Sequence, residues 1–307
     1  MAESNRGRLA YIAEATVGVT PTDPALEIMR FTTHSLAYAK QTTASSEIRD
    51  DALISSIPVV SANVGGDINV EYSSASFNEL IAAAIRDTES TSMTNGLETP
   101  SFSIEESILD VVQYRIFRGM RVNTWSMTGN VGSIVTGAFG FMGRTEETAS
   151  ADTGWLGAGS RVDPNTNEPW NATSNVGTIL VDDTDVGACF QGFDLNLTNN
   201  IRDRYCLGAV TPGGTPYGTM EVTGNLRDVF SAWDDLYDAM KAHADVKLVF
   251  DFTGAEGDLT KVTLPRVKLI SGTVQPQGLN ADYQQNIGYQ ALPDAGGIMI
   301  QVDYTAA

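Results

Sequence analysis

Residues 58–86, PVVSANVGGDINVEYSSASFNELIAAAIR, constrain this chain more than any other stretch, because the hydrophobic period changes inside them. Between 62 and 72 polar and apolar residues alternate. Asn63, Asp67, Asn69 and Glu71 fall on one face, and Val64, Ile68, Val70 and Tyr72 on the other. A period of two over that length requires a strand with one buried and one wet face. The pair Gly65-Gly66 marks a bend or bulge near its start. Ser76 then stands where it can cap a helix, with Glu79 three residues on. Phe77, Leu80, Ile81 and Ile85 follow at helical spacing. A strand therefore runs into one short amphipathic helix.

The same plan returns later. Residues 216–226 alternate, with Thr219, Glu221 and Thr223 opposite Met220 and Val222, and a helix is expected over 231–244. There WDDLYDAMKA lies over FNELIAAAIR, LPRVKLISG (264–272) over GMRVNTWSM (119–127), and NIGYQALPD (286–294) over AFGFMGR (138–144). The common order of strand, loop, strand, helix, hairpin and strand reads as an internal duplication. The division it predicts is an arm and opening strand at 1–34, a first β unit at 35–150, a linker or insertion at 151–186, and a second β unit at 187–307. The arm is expected to lie on the surface or on a neighbour, with a strand at 30–38. Residues 41–56, carrying Glu47, Arg49, Asp50 and Asp51, are expected to form a long loop or extended hairpin. Residues 87–100 read as a linker. Strands are expected at 101–108, 113–122, 124–128, 133–143, 192–197, 246–252, 259–269 and 297–305.

Composition then limits the function. Of 307 residues, 42% are hydrophobic, so a sizeable core is available, and the Gly, Thr, Ser and Val content favours a mainly β protein. The net charge is −19 with no basic run, which excludes a surface that grips DNA by neutralising phosphates. No stretch reads as a secretory signal or a membrane span. Cys189 and Cys206 are too far apart for a CxxC motif and are expected as partly buried thiols. His34 and His243 lack metal-site spacing, and no phosphate loop, dinucleotide fingerprint or nucleophile elbow occurs. The run Asp163-Pro-Asn165-Thr-Asn167 begins like a calcium loop. Glu168 and Ser174 occupy positions that need Gly and Glu, so a turn-rich surface loop is the expectation. The acceptor patterns at Asn171 and Asn196 have no secretion signal to support them. No catalytic residue, cofactor or metal is expected.

The opening Glu14…Gly18-Val-Thr-Pro21, Arg30-Phe-Thr32, Ser35-Leu36 and SSEIRDD at 45–51 resemble the start of tail tube proteins of long-tailed (siphovirus-type) bacteriophages. GGDINVEYSSASFNELI, LNLTNNIRDRYCLG (195–208) and Val222-Thr-Gly224 are similar to later parts of that family. The resemblance implies a mainly β fold, here two similar tail-tube-type β-sandwich or barrel units, each with one flanking α-helix. It implies a non-enzymatic virion component, made in the host cytoplasm, whose rings stack into a tube around a DNA-conducting lumen. Tail terminator, tape measure and distal tail proteins would be its partners. DNA would pass without tight binding. Asp67, Asn69, Glu71, Thr219 and Glu221 are the lumen-facing candidates, and Glu47, Arg49, Asp50 and Asp51 the inter-ring loop candidates. Six units around the lumen, two per chain, give a trimeric ring with pseudo-sixfold symmetry, against a conventional hexamer. The alternative is a β-sandwich tail protein that binds a receptor or carbohydrate, with Trp155 and Trp170 as exposed aromatics.

Overall fold

The computed structural model describes residues 3–150, 159–177, 179–186, 188–233, 236–255 and 257–306. The alternating stretch forms β5 (Val59–Glu71), whose burial follows the predicted parity from Ala62 onward. Gly66 sits at φ +144°, and an added Cβ would lie 2.4 Å from the Ser35 carbonyl oxygen, so glycine is required there; the expected bulge is absent, because the pairing with β9 runs through Gly65 and Gly66 without a register shift. Helix α1 (Asn78–Ile85) follows. Two expectations about it are corrected. Leu80 to Ile85 are all buried, so the helix is covered on nearly every side rather than amphipathic. Ser76 does not cap it. Phe77 occupies that position without a side-chain bond, and the Ser76 hydroxyl instead meets Ser73 and Asn165.

The other strands are β1 (Gly7–Ala13), β2 (Leu26–Met29), β3 (Thr33–His34), β4 (Ala37–Thr42), β6 (Ser92–Thr94), β7 (Phe102–Ile108), β8 (Gln113–Asn130), β9 (Thr136–Gly143), β10 (Thr145–Ala149), β11 (Arg161–Val162) and β12 (Leu180–Val181). Beyond them lie β13 (Cys189–Thr198), β14 (Glu221–Val229), β15 (Asp245–Thr253), β16 (Leu259–Pro276), β17 (Tyr283–Ala291) and β18 (Gln301–Thr305). Antiparallel pairing assembles a central sheet in the order β4–β5–β9–β8–β13–β14–β17–β16.

Two 18-residue strands, β8 and β16, each change partners along their length, and β8 thereby joins two sheets. The first part of β8 lies between β7 and β10, and its second part joins the central sheet between β9 and β13. Likewise β16 begins between β15 and β18 and ends beside β17. Gly119 at φ +67° and a register shift between Val122 and Thr124 mark the change of sheet in β8. The strands expected at 113–122 and 124–128 are therefore one. A short helix, α2 (Leu236–Lys241), packs on β16 as α1 packs on β8. It covers less than half of the span expected at 231–244.

Within the arm expected at 1–34, the described residues 7–13 form a paired strand rather than lying on the surface. Strand β1 runs between β2 and β7, pairing with β7 over its whole length, and Leu9, Ala10 and Tyr11 are buried. The opening motif has a physical basis here. The Glu14 carboxylate accepts bonds from the Gly18 and Gly119 amides at 2.7 and 2.9 Å and from the Ser101 and Ser103 hydroxyls at 2.8 and 2.7 Å. It pins the opening turn to β7 and β8. The strand expected at 30–38 is broken into β3 and β4, and the linker expected at 87–100 contains β6, paired with β18.

Asn199, fully buried after β13, explains part of the 195–208 stretch. Its amide donates to the Ala84 carbonyl at the end of α1 (2.8 Å) and to the Val122 carbonyl (3.1 Å). Asn199→Ala leaves both acceptors buried without this donor and is expected to cost about 1–3 kcal/mol, read from urea unfolding.

Candidate assembly surfaces

Register decides which residues share the wet face of the central sheet. One row runs Asn69–Ala138–Ser126–Asn196–Thr223–Gln290, and the next Glu71–Thr136–Thr128–Asp194–Asn225–Gly288–Ser271. A third runs Asp67–Gly140–Thr124–Thr198–Glu221. Four of the five predicted residues, Asp67, Asn69, Glu71 and Glu221, thus lie on one face. Thr219 does not join them in the sheet, because β14 begins only at Glu221. These rows are polar and acidic as far as β17; on β16 the first of them continues from Gln290 to Lys268, whose ammonium pairs with Asp245 at 2.8 Å. Arg227, on the adjoining row, is held by Asp194 at 2.6 Å, which cancels its charge locally. The opposite face is the core, with Trp125, Phe139, Leu195, Leu226 and Tyr289 fully or almost fully buried.

The sheet has two open edges. Among the described residues, β4 pairs only with β5, and the last part of β16 pairs only with β17. Unpaired edge groups invite another strand. Within the chain such an edge is already closed: β8 pairs with β13 from Thr124↔Thr198 to Asn130↔Gly192.

The 41–56 stretch is a projecting loop, as expected. Thr43 N–H bonds the Pro58 carbonyl at 3.2 Å and Ser45 N–H the Ser56 carbonyl at 2.9 Å. Arg49 grips Asp51 with two bonds of 2.9 and 2.6 Å, and this partner holds the Asp51 carboxyl below its ordinary range. Glu47 and Asp50 are exposed. Sequence reasoning singled out these charged residues and missed the apolar ones beside them: Ile48, Leu53, Ile54 and Ile57 are all exposed. Large aliphatic side chains left in water over one loop are the signal that was available.

A cleft of about 570 Å³ lies beside α1, lined in part by Glu14, Glu79, Asp87, Glu89 and Glu98. Burial first, then the charges of Glu89 and Glu27, push the Glu79 carboxyl up to about 7. The folded state therefore binds a proton that the unfolded chain releases near its ordinary value of 4.5. The stability this proton contributes is present at low pH and is lost as pH rises through about 7. Glu79→Gln is expected to raise stability at pH 8 by about 1–2 kcal/mol, discounted for partial exposure, and to do little at pH 4. Urea midpoints at the two pH values measure this.

Several other sequence readings are settled by position. Trp170 is 2% exposed, in the core, and cannot serve as an exposed glycan platform. Trp155 lies outside the described residues. Cys189 and Cys206 are free and exposed rather than partly buried. Asn165 and Asn167 both donate to the Ser74 carbonyl, at 3.2 and 2.9 Å, and Asn165 also receives the Ser76 hydroxyl. Their amides thus tie a turn to the start of α1. His34 faces Glu106 at 3.4 Å, and Arg115 pairs with the same carboxylate. Among the described residues no group of three or more His, Cys, Asp or Glu side chains could hold a metal ion. No described helix is long and apolar enough to cross a membrane.

The chain matches no curated protein sequence. The family model described as phage tail tube protein matches residues 4–306. With nearly its whole length matched, and a mainly β fold in which one polar sheet face and two open edges are on offer, the chain belongs to the phage tail tube protein family.

Proposed function

We propose that this structural subunit closes into a trimeric ring with pseudo-sixfold symmetry, and that such rings stack around a lumen through which DNA passes without tight binding. The observation that carries the reading is the repeated pairing order. β4–β5–α1–β7–β8–β9–β10 and β13–β14–α2–β15–β16–β17–β18 make the same contacts in the same sequence. Residues 35–150 and 187–307 are then two tail-tube units in one chain, and six units need three chains. The β8–β13 joint is the unit-to-unit contact within a chain. The open edge of β16 would meet the open edge of β4 of the next copy in the same way, leaving no free edge. The wet face, with Asp67, Asn69, Glu71 and Glu221, would line the lumen. Its mainly acidic and neutral rows, in which Lys268 and Arg227 are each paired with an aspartate, oppose retention of a polyanion. The carbohydrate-binding alternative loses Trp170 to the core.

The internal joint also specifies the register between chains. Gly140 lies between Asp67 and Thr124, as Gly288 lies between Asn225 and Ser271. Carrying the Thr124↔Thr198 pair across this correspondence places Ser271 opposite Ala39 of the neighbour. With Cys189 and Cys206 replaced by Ser, the Ser271→Cys/Ala39→Cys protein should oxidise into a covalent ladder that ends at three chains. A ladder ending at six would refute the trimer. Rings that form without cross-links would refute the register.

A further inference from the structure

The two ends of the central sheet carry complementary apolar features. At one end the loop at 43–58 continues β4 and β5 outward and exposes Ile48 at 98% and Leu53 at 67%. The Arg49–Asp51 fork, with the Leu53 amide bonded to Asp51 at 3.1 Å, fixes the tip, so these side chains are held in water by an ordered turn. At the other end a cavity of about 230 Å³ opens where β8 finishes and β13 starts, with Val131, Val176, Ile179, Phe190 and Phe193 in its wall. The registers set the two features apart. Val64 opposes Gly143 and Arg121 opposes Met142 near the loop, whereas Asn130 faces Gly192 at the cavity.

A knob at one end of the sheet and a hole at the other give a heterologous contact, which builds an open stack wherever its rotation does not close it into a ring. We propose that the 43–58 loop of one copy seats its apolar tip, Ile48 and Leu53, in this cavity of a copy in the next ring. The proposal rests on the tube reading and adds the receptor for its axial joint. Dimensions permit it. Each loop arm of about eight residues reaches about 26 Å at ~3.3 Å per residue. The lateral step from β5 to the β8–β13 joint is two to three strand spacings, about 10–14 Å. Because the loop extends away from its own chain's cavity, the occupant is a second copy.

The test uses the full-length protein. Ala188→Trp fills the cavity from a half-buried position on its wall, and Ile48→Asp/Leu53→Asp removes the knob. Each should reduce the pelletable tube fraction about tenfold or more, with thermal melting unchanged and free rings, read by native mass spectrometry, accumulating in place of the tubes. A photoreactive benzoylphenylalanine at Ile48 should cross-link to residues 129–131 or 172–193 of another copy. Should Ala188→Trp fail to fold, that cross-link decides alone. Normal tubes from both variants, or cross-links confined to other segments, would overturn the cavity assignment while leaving the tube intact. Absence of rings and tubes from the unaltered protein would instead overturn the tube reading.

Discussion

Trp170→Ala is expected to destabilise the protein by about 3–5 kcal/mol, the range for removing a large aromatic from a packed core. The ring stacks on Phe252 of β15, with centroids 4.9 Å apart and planes 11° apart, and on Tyr72 at the end of β5, at 6.4 Å and 19°. It is thus a layer between the strands of the first half and those of the second. The backbone confirms the position: Trp170 N–H bonds the Tyr72 carbonyl and Val135 N–H bonds the Trp170 carbonyl, both at 2.7 Å. Deleting the indole opens a cavity that neither rigid sheet can collapse into. Trp170→Phe should cost much less, because Nε1 has no hydrogen-bond partner in its buried position and its removal relieves that donor. Urea unfolding of both variants measures the difference. A cost below about 1 kcal/mol for the alanine variant would contradict a core role.

The second large effect concerns the buried pair that anchors β11. Arg161 Nη2 lies 2.6 Å from Glu105 Oε1, with side-chain exposures of 8% and 0%. The Ser107 hydroxyl donates to the same carboxylate at 2.9 Å. Arg161→Met takes the guanidinium from a carboxylate that water does not reach. Its expected cost is about 3–5 kcal/mol, the range for breaking a buried pair from one side. Replacing both partners, Arg161→Met/Glu105→Leu, should recover most of the loss, because the pair's attraction mainly offsets its own desolvation. A double-mutant cycle decides. If the double variant is as unstable as the single one, packing rather than charge is responsible.

Both predictions fall in residues 151–186, which read in sequence as a linker. Nothing in RVDPNTNEPWNA marks an apolar face, since its one aromatic residue stands among turn formers. Its burial depends on Tyr72 and Phe252, both far away along the chain. Strand β1 was misread for a related reason. Seven residues, GRLAYIA, are too few to show a period, and what buries them is pairing on both sides by β2 and β7. Ser76 carries a capping signal, but neighbouring Ser73 and Asn165 compete for its hydroxyl.

What the sequence alone determined was local. The alternation at 62–72 put Asp67, Asn69 and Glu71 on one side of a strand, because strand parity needs no knowledge of the partners. The change of period at 76 gave a helix, and two similar runs of elements were visible because each element carries its own pattern. Tertiary structure alone decided how those elements join. It placed Glu221 in the row of Asp67 through three intervening strands. It carried β8 from one sheet into another by way of a bulge and a positive-φ glycine, and passed β16 from β15 and β18 to β17. It also put a loop tryptophan between two halves of the core. Each of these rests on pairing registers and stacking between residues distant along the chain, and such contacts leave no periodic trace in the amino-acid order.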